Sequence, residues 1–372
     1  MKILLINHEF PPNGGGAATI TQELYKRLKQ HNHKVHLLTG AVDQKNEDMT
    51  TVLTGRKAAS KGSVNEFLLF IVKGFLKLKS VNRSFSPEVV LAFFTIPGGF
   101  LAMGYKFLFK VPYIVSLRGG DVPGFQLGGR YKRFQTFARP FIKMVCKHAA
   151  VVHVNSRRLA YLAGQTGIHS GKIRMLPNGI TIREMPARNN LPKGKIKFLY
   201  TGRLSEQKNL GVFIKALALL QKDFQFKLIG DGPCKAHLQS LVRKKGLAEK
   251  VIFDTWKNRE ALDRQYREAH IFVLPSLDEG MSNSALEAVA NQCALLSSAN
   301  AHLQWEDETI KRNWVVSDYR NPIAWKEKLQ YLLENPALIN ESSQQMRKFI
   351  VRNNNWDNLY PKYEEMLKQC VG

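Results

Sequence analysis

Residues 274–298, LPSLDEGMSNSALEAVANQCALLSS, predict a strand, a polar loop and a helix in direct succession. The apolar run at 271–274 is typical of a buried strand, and Pro275 ends it. Ser282 or Asn283 can cap the helix that follows. A helix start of this kind presents free backbone N–H groups, so the loop after the strand is a suitable place for a phosphate.

Two carboxylates lie in this segment, Glu279 in the loop and Glu287 eight positions later in the helix. One of them could accept both hydroxyls of a ribose, and the other could lie near whatever the phosphate carries. Solvated acids on an ordinary strand–loop–helix unit are the more common explanation of this spacing taken alone. The remaining sequence is needed to distinguish a ligand-binding role for the two acids from solvated surface positions.

Strands and helices alternate through both halves of the 372-residue chain. Residues 2–38 predict a strand, a glycine-rich loop, a helix and a strand, which is how a doubly wound parallel sheet begins. Further strands are predicted at 89–93, 112–116, 151–155, 173–176, 197–200, 226–229, 251–253 and 271–274. The polar stretch 184–195 has two prolines and is interpreted as a linker. We expect an α/β protein with domains at 1–186 and 187–355, and a last helix at 356–372 that packs back on the first domain.

Cysteine spacing indicates a reducing compartment, and hydropathy indicates that no segment crosses a membrane. The four cysteines are widely scattered, with neither metal-ligand nor disulfide spacing. The N-terminal apolar run is too short for the core of a signal peptide, and no uncharged apolar stretch is long enough to span a bilayer. We therefore expect a cytoplasmic protein that is either soluble or peripheral on the inner face of the cell membrane.

The formal net charge is +25, and it is unevenly distributed. Residues 1–188 carry 28 Lys and Arg against 9 Asp and Glu, a balance of +19, whereas the remainder carries 27 against 21, or +6. Between Glu88 and Glu184 the only acid is Asp121. Such an imbalance indicates an anionic partner: lipid head groups, nucleic acid or a phosphorylated substrate.

Two predicted helices in this basic half are candidates for contact with an anionic surface. Residues 65–79, NEFLLFIVKGFLKLK, are apolar around most of a helix, and a core helix is slightly favoured over one that enters a membrane interface. Residues 128–147 alternate basic and aromatic side chains, which favours interfacial membrane contact over the reading of bases. Nucleic acid stays possible, because its phosphates attract basic residues by the same electrostatic interaction as anionic lipid head groups. No pattern of a nucleic-acid-binding module is present, however.

The loop after the strand at 197–200 carries two cations, Arg203 and Lys208, next to Gly202. Ligands of open α/β sheets bind at the edge where strands end, and positive charge there suits a departing diphosphate. Solvated surface charges are again the commoner alternative. The glycines of residues 229–233, IGDGP, form a turn at the same edge and permit a nucleoside to lie close.

Several motifs occur together in this order: PPNGGGAA (11–18), SLRGGDVPG (116–124), LPNGI (176–180), GRLSEQKNL (202–210), LIGDGP (228–233) and the opening segment. Together they resemble the retaining, nucleotide-sugar-dependent glycosyltransferases of family 4 (group 1), and the resemblance covers nearly the whole chain. It implies the GT-B fold, in which two doubly wound Rossmann-like domains face each other across a cleft.

The resemblance also implies roles for residues of the second domain. Arg203 and Lys208 match the cationic pair on the donor diphosphate. Glu287 matches the acid that holds the ribose hydroxyls, and Glu279 the catalytic-site acid against the donor sugar. Asn283 and Ser284 match the helix start that contacts phosphate.

In the first domain, Gly15 and Gly16 match the loop that closes on the diphosphate and sugar, and Arg118 and Asp121 match a catalytic His-Gly-x-Asp motif. Arg118 takes the place of the histidine. An arginine cannot shuttle protons, so the resemblance implies an electrostatic or hydrogen-bonding role for it. Thr181 and Thr255 also depart from common family residues, in the interdomain turn and beside the nucleobase.

The implied reaction is transfer of a sugar, with retention, from a nucleotide-diphosphate sugar to a lipid-linked or surface-polysaccharide acceptor, as in polysaccharide or lipopolysaccharide biosynthesis. Two cations and helix-terminal N–H groups would stabilise the leaving diphosphate, so we expect no metal and no other cofactor. Alternatives are a GT-B nucleotide-sugar epimerase or phosphorylase and, less favoured, a basic nucleic-acid-binding protein. The donor sugar, nucleobase, acceptor, source organism and oligomeric state cannot be read from the sequence.

Overall fold

The computed structural model describes residues 1–11, 14–40, 50–53, 64–126, 129–185 and 194–371, leaving aside the side chains of residues 64 and 129–134. Most of the predicted irregular stretch 41–62 and of the predicted linker 184–195 lies outside the described residues. The described part of the stretch 41–62 includes a strand at 50–52, which the sequence analysis did not predict. The chain forms two compact units: the first contains 1–125, 129–178 and the C-terminal residues from Asp357, and the second contains 179–356 with Gln126.

The first unit contains a parallel sheet whose seven described strands follow the order β3-β2-β1-β4-β5-β6-β7. The strands are β1 (Lys2–Asn7), β2 (Lys34–Thr39), β3 (Thr50–Val52), β4 (Val89–Phe93), β5 (Tyr113–Leu117), β6 (Val151–Val154) and β7 (Ile173–Met175). The central strands are apolar and buried along almost their whole length, because helices cover parallel sheets on both faces. The strand order reverses between β1 and β4, which makes that edge a topological switch point.

Five helices connect these strands in the described residues. They are α1 (Gly16–Gln30), α2 (Val64–Phe85), α3 (Phe100–Phe109), α4 (Gly129–His148) and α5 (Arg157–Gln165). Helix α1 places its apolar side chains at the spacing of one helical face, and Ile20, Leu24 and Leu28 are buried against the sheet.

Helix α2 combines the two interpretations that its sequence allowed. Phe70 and Leu78 are buried in the first unit, as the core interpretation requires. Leu68, Val72 and Leu76 are exposed, four residues apart along one face, and Leu76 keeps 76% of its surface in contact with solvent. The core interpretation is therefore supported on one face of α2, while contact of the other face with a membrane interface stays a prediction, because an apolar sequence around a whole helix does not say which side is covered.

The second unit contains a parallel sheet with the order β10-β9-β8-β11-β12-β13 in the described residues. Its strands are β8 (Ile196–Thr201), β9 (Phe224–Ile229), β10 (Val251–Asp254), β11 (Ile271–Leu274), β12 (Ala294–Ser298) and β13 (Val315–Val316). Its helices are α6 (Leu210–Leu217), α7 (Lys235–Lys244), α8 (Arg259–Glu268), α9 (Asn283–Ala290), α10 (Glu308–Trp314), α11 (Pro322–Glu334) and α12 (Pro336–Asn354). The switch point falls between β8 and β11. Both units are thus doubly wound α/β folds, as predicted.

The last helix, α13 (Trp356–Val371), packs within the first unit from Asp357 onward. Glu364 accepts a hydrogen bond from His33 Nε2 at 2.7 Å, and the Tyr360 ring stacks on His31 with 4.0 Å between ring centroids. The Tyr363 hydroxyl donates to the carbonyl of Pro177 at 3.0 Å. These contacts join the last helix to residues 31 and 33, which precede β2, and to residue 177, which follows β7.

The glycines of residues 229–233 are required by backbone packing. Gly230 adopts φ +145°, and a Cβ at this position would lie 2.0 Å from the carbonyl oxygen of Gly202. A Cβ on Gly232 would lie 2.3 Å from the carbonyl oxygen of Leu204. The loops after β8 and β9 therefore approach each other as closely as bare backbone allows, and this fixes the loop that carries Arg203.

We predict that Gly230→Ala destabilises the protein by about 3 kcal/mol, since the new methyl group combines a strained backbone with a clash that only backbone movement can relieve. Gly246→Ala is the matched control, because Gly246 also has positive φ (+68°) but a Cβ added there would meet no atom within 4 Å. Its expected cost is about 1 kcal/mol. Urea unfolding of the three proteins measures the difference, and equal losses for the two variants would contradict the proposed packing role.

Candidate active site

The loops that follow β8 and β11 are joined to each other at the carboxyl edge of the second sheet. Gln207 donates from Nε2 to the carbonyl of Asp278 at 2.9 Å, and its own carbonyl accepts the N–H of Leu277 at 2.8 Å. This connection places the ammonium of Lys208 in a short ion pair with the carboxylate of Glu279, and both side chains are largely buried. Two predicted site residues, 71 positions apart, are thus brought together.

Arg203 lies on the same loop as Lys208 and is exposed. Its backbone is held by the Tyr200 hydroxyl, which donates to the Arg203 carbonyl at 2.9 Å. The guanidinium has no hydrogen bond or ion pair with any other described residue. The loop therefore provides one cation that is already paired and one that is available to an anion.

Glu287 points from α9 toward two donors on α8. Its Oε1 accepts from Arg259 Nη1 at 2.5 Å, and its Oε2 accepts from the Tyr266 hydroxyl at 3.0 Å. The Tyr266 hydroxyl also contacts Thr201 Oγ1 at 2.7 Å, at the end of β8. A carboxylate held by both oxygens in this way has a fixed orientation, which is what recognition of two adjacent hydroxyls needs.

The electrostatics of Glu287 reflect its burial. Burial raises the pKa of Glu287, while the charge of Arg259 and the hydrogen bonds from Arg259 and Tyr266 act in the opposite direction. Arg259 also lies 3.4 Å from Asp263, whose other carboxylate oxygen accepts from Arg183 at 2.8 Å. Arg259 is therefore the group that compensates the charge of Glu287.

Helix α9 begins directly after the loop of Glu279. The Ser282 hydroxyl caps it by accepting the N–H of Ala285 at 3.3 Å and lies 3.0 Å from the Ser284 hydroxyl. Asn283 and Ser284 are half-buried in the first turn, where backbone N–H groups point along the helix axis. The cap agrees with the sequence prediction, while phosphate contact by these two residues stays a prediction.

In the first unit, Arg118 follows β5 at the carboxyl edge of the sheet. Its Nη1 donates to Asn178 Oδ1 at 2.9 Å, and its guanidinium carbon lies 4.6 Å from the centre of the Phe93 ring. Asn155 donates to the same Asn178 oxygen at 3.3 Å. Arg118 is thus held by Phe93 at the end of β4 and by Asn178 after β7.

Asp121 is occupied by backbone N–H groups. Its Oδ1 accepts from Arg118 at 2.8 Å and Gly119 at 3.0 Å, and its Oδ2 accepts from Thr95 at 2.9 Å. Burial raises the pKa of Asp121, and these backbone hydrogen bonds oppose that shift. The geometry makes Asp121 a positioning residue for the loop that carries Arg118; its predicted catalytic role stays a prediction.

Gly15 and Gly16 lie at the start of α1, where Gly15 is the capping residue and both are exposed. The cap has no side-chain hydrogen bond, and the Gly15 N–H donates to Glu9 Oε2 at 3.3 Å. An added Cβ on Gly15 would meet no atom within 4 Å. Gly15 therefore leaves the helix start sterically open, as the predicted approach of a diphosphate requires.

Sequence reasoning missed the residues that hold the predicted ones. Arg259, Asp263 and Tyr266 are spaced i, i+4, i+7 on α8, so a shared helical face was a signal that could have identified them. Asn178 and Tyr363 around Arg118 come from distant segments, and no local pattern indicated them. Among the described residues, no cluster of three or more His, Cys, Asp or Glu side chains could hold a metal ion. A search of the helices in the same part of the chain finds none able to cross a membrane.

Two family models match consecutive parts of the chain. The model for Glycosyltransferase Family 4 matches residues 14–184, and the model for Glycosyl transferases group 1 matches residues 181–353. Together they span residues 14–353 and include all the predicted site residues. The chain belongs to the family 4 (group 1) glycosyltransferases.

Relatives of similar sequence agree with this family assignment. An uncharacterised glycosyltransferase of Methanocaldococcus jannaschii is 23% identical over 87% of each chain. A Campylobacter jejuni N-acetylgalactosaminyltransferase, named for a diphospho-undecaprenol-linked acceptor, is 25% identical over 64% of this chain and 65% of its own.

Two solved structures share the fold. Sucrose-phosphate synthase from Thermosynechococcus elongatus superposes with a TM-score of 0.85 at 18% identity, over 99% of this chain and 98% of the other. Anabaena HepE, solved with UDP and glucose, gives 0.78 at 14% identity over 99% and 100%. These structures confirm the predicted GT-B fold, and the family models and relatives confirm the transferase class.

We predict that Arg259→Gln makes the stability of this glycosyltransferase more sensitive to rising pH. Without the arginine, the pKa of Glu287 rises further above its unfolded value. A carboxyl with a raised folded pKa favours the folded state at low pH, and that contribution is lost as pH rises through the folded pKa. The deficit of the variant should therefore be small near pH 4 and grow to about 1–2 kcal/mol near pH 8, a value discounted because Arg259 is partly exposed.

Urea midpoints between pH 4 and pH 8 measure this deficit. Arg264→Gln is the control, because it removes the same charge from an exposed position on the same helix. A deficit for Arg259→Gln that is constant over this range would contradict the role assigned to Arg259.

Proposed function

We propose that this glycosyltransferase transfers a sugar, with retention, from a nucleotide-diphosphate sugar to a lipid-linked or surface-polysaccharide acceptor, without a metal. The observation that carries the proposal is the arrangement at the carboxyl edge of the second sheet. Arg203 and the Lys208–Glu279 pair lie on loops fastened to each other, and Glu287 follows on the next helix. The site thus combines positive charge for a diphosphate with carboxylates for sugar hydroxyls.

The donor diphosphate would bind the guanidinium of Arg203 and the ammonium of Lys208, with the N–H groups at the start of α9 as further donors. Glu287, held by Arg259 and Tyr266, would accept the ribose hydroxyls. The complex of HepE with UDP and glucose supports a nucleotide-sugar donor for a protein of this fold.

In the transfer step the anomeric C–O bond to the diphosphate loosens, and the transition state resembles an oxocarbenium ion. The acceptor hydroxyl oxygen forms the new bond on the same face of the sugar, and the diphosphate leaves with the bonding electron pair. The departing phosphate oxygen takes the acceptor proton. Arg203 and Lys208 stabilise the charge that develops on the diphosphate, so charge stabilisation and positioning supply most of the catalysis.

The acceptor is proposed to lie at an anionic membrane surface. Helix α2 exposes Leu76 beside Lys73 and Lys77. Helix α4 exposes two aromatic side chains, Phe137 and Phe141, and carries exposed basic residues on the same helix: Arg139, Lys143 and Lys147. Phe137 keeps 82% of its surface in solvent. Apolar side chains interspersed with lysines and arginines suit the boundary between head groups and acyl chains. The Campylobacter relative, named for a polyprenyl-linked acceptor, is consistent with such a location.

We predict that Arg203→Gln, Lys208→Gln and Glu287→Gln each weaken nucleotide-sugar binding about 10- to 100-fold, because each removes a charge-assisted hydrogen bond. A thermal-shift and hydrolysis screen over UDP-, GDP-, ADP- and dTDP-sugars measures this, since a ligand raises Tm only by binding the native state.

Lys215→Gln is the control for the donor screen, because it removes a positive charge from an exposed position on α6 outside the site. It should respond to the donor like the wild-type protein. The proposal fails if no donor in the panel stabilises the wild type, or if all four variants respond to it equally.

We predict that Leu76→Glu lowers the affinity for anionic vesicles about 10-fold, since it replaces a leucine that would enter the interface by a charge repelled from it. Co-sedimentation with vesicles of phosphatidylglycerol and phosphatidylcholine at low salt measures the affinity. Ile323→Glu on α11 is the control, because Ile323 is also exposed but lies in the second unit. Equal binding by the two variants would remove α2 from the proposed membrane surface.

A further inference from the structure

The guanidinium of Arg118 has one bonded nitrogen and one open edge. Nη1 donates to Asn178, but Nε and Nη2 are buried and meet no hydrogen-bond acceptor among the described residues. These two atoms share the edge whose parallel N–H bonds match the two oxygens of a carboxylate or phosphate. The Phe93 ring lies against the guanidinium, so the open edge belongs to a side chain whose position is defined.

The charge of Arg118 has no ion-pair partner in the described residues. Asp121 acts on it electrostatically, but the Asp121 carboxylate is bonded to three backbone N–H groups. His153 adds no second positive charge beside Arg118, because burial, reinforced by the positive charge of Arg118, lowers the pKa of His153 to about 3 and keeps the ring neutral. The Tyr363 hydroxyl donates its proton to the Pro177 carbonyl and is a neutral hydrogen-bonding neighbour of the Arg118 side chain. The arginine therefore has no counter-ion in direct contact, and Asp121 offsets its charge only from a distance.

Such a group is expensive to bury. Unpaired N–H groups of a buried cation lose their hydration, and a buried charge without an adjacent counter-charge is strongly destabilising. A neutral sugar hydroxyl or a water molecule would satisfy an N–H group but would not bring a counter-charge into contact with the guanidinium. An oxyanion would satisfy both requirements.

We infer that Arg118 binds an oxyanion carried by the substrate, through Nε and Nη2, and that it selects acidic over neutral sugars. This inference rests on the proposed glycosyl transfer and names its substrate class: a sugar with a carboxylate, or a sugar whose phosphate lies beside the ring. Arg118 is then a specificity-determining residue.

The ends of two further strands, β6 and β1, provide polar atoms suited to the rest of a sugar. Asn155, after β6, has a buried Oδ1 without a donor among the described residues, and its Nδ2 shares the Asn178 oxygen with Arg118. His8, after β1, has a buried Nδ1 without a partner in the same part of the chain, and burial lowers its pKa to about 4, so the ring is neutral at pH 7. All three residues follow parallel strands and therefore lie at the same edge of the first sheet, and His8 follows β1, which borders the switch point.

The test measures binding of monosaccharides by titration calorimetry or ligand-detected NMR, without nucleotide sugar. The probes are methyl glucuronide, glucose 6-phosphate and the neutral methyl glucoside. Wild type should bind one of the two acidic probes at least 10-fold more tightly than methyl glucoside. Preference for the glucuronide identifies a sugar carboxylate as the ligand, and preference for the sugar phosphate identifies a phosphate.

Two variants of Arg118 separate charge from geometry. Arg118→Lys keeps the charge but loses the two-pronged edge, and it should lose most of the preference for the acidic probe while affinity for methyl glucoside stays within 2-fold. Arg118→Gln should lose the preference entirely. Arg174→Lys, an exposed arginine bonded only to backbone carbonyls in the described residues, is the control and should bind like wild type.

The inference is overturned if wild type shows no preference for either acidic probe. It is also overturned if the preference survives in Arg118→Lys and Arg118→Gln, with folding of both variants verified by their Tm. Failure of the glycosyl-transfer proposal is recognised separately, because it appears as absence of a response to every nucleotide sugar in the donor screen.

Discussion

Parallel pairing of β8 with its two neighbours is the constraint on which the candidate site depends. Strand β8 pairs with β9 on one side and with β11 on the other, so all three end at the same edge. Backbone hydrogen bonds then connect the loops that leave them: Gly202 N–H to the Ile229 carbonyl at 3.0 Å, and Leu277 N–H to the Gln207 carbonyl at 2.8 Å. Charged residues from separate parts of the sequence lie close together because the strands that precede them are paired. Gly230 and Gly232 allow the loops after β8 and β9 to approach each other.

The site residues differ in how far the protein already satisfies them. Lys208, Glu279 and Glu287 have partners within the second unit, so their side chains are oriented before any ligand arrives. Pre-organisation of this kind lowers the reorganisation needed during the reaction, although a ligand must share groups that are already bonded. Arg203 is the opposite case, since it is exposed and its charge is available. A site with both kinds of residue holds its carboxylates in position while leaving a cation for the diphosphate.

Most of the fold could be predicted from the sequence, because buried parallel strands are continuous apolar runs and each run is followed by a turn signal. The residues directly after these runs, such as Arg118, Arg203 and Glu279, could be identified for the same reason. The sequence could not show what contacts them. The spacing of Arg259 and Tyr266 shows that they share one face of α8, but it does not show that this face meets Glu287 across a helix–helix contact. Helix α2 is a different case, since its apolar residues surround the helix and only packing decides which face is covered.

Arg118 shows why a change at one motif position can alter chemistry without disturbing the fold. The loop at 118–121 is held by the carboxylate of Asp121 through backbone N–H groups, and these bonds do not depend on the side chain at position 118. A histidine there would be a group able to exchange protons near neutral pH, whereas arginine is a permanent cation with five donors and no acceptor. Phe93, Asn178 and Tyr363 contact the guanidinium, but Nε and Nη2 make no hydrogen bond with the described residues. The remaining edge is thus defined by the protein but not satisfied by it, which is the condition under which a substrate group contributes most to recognition.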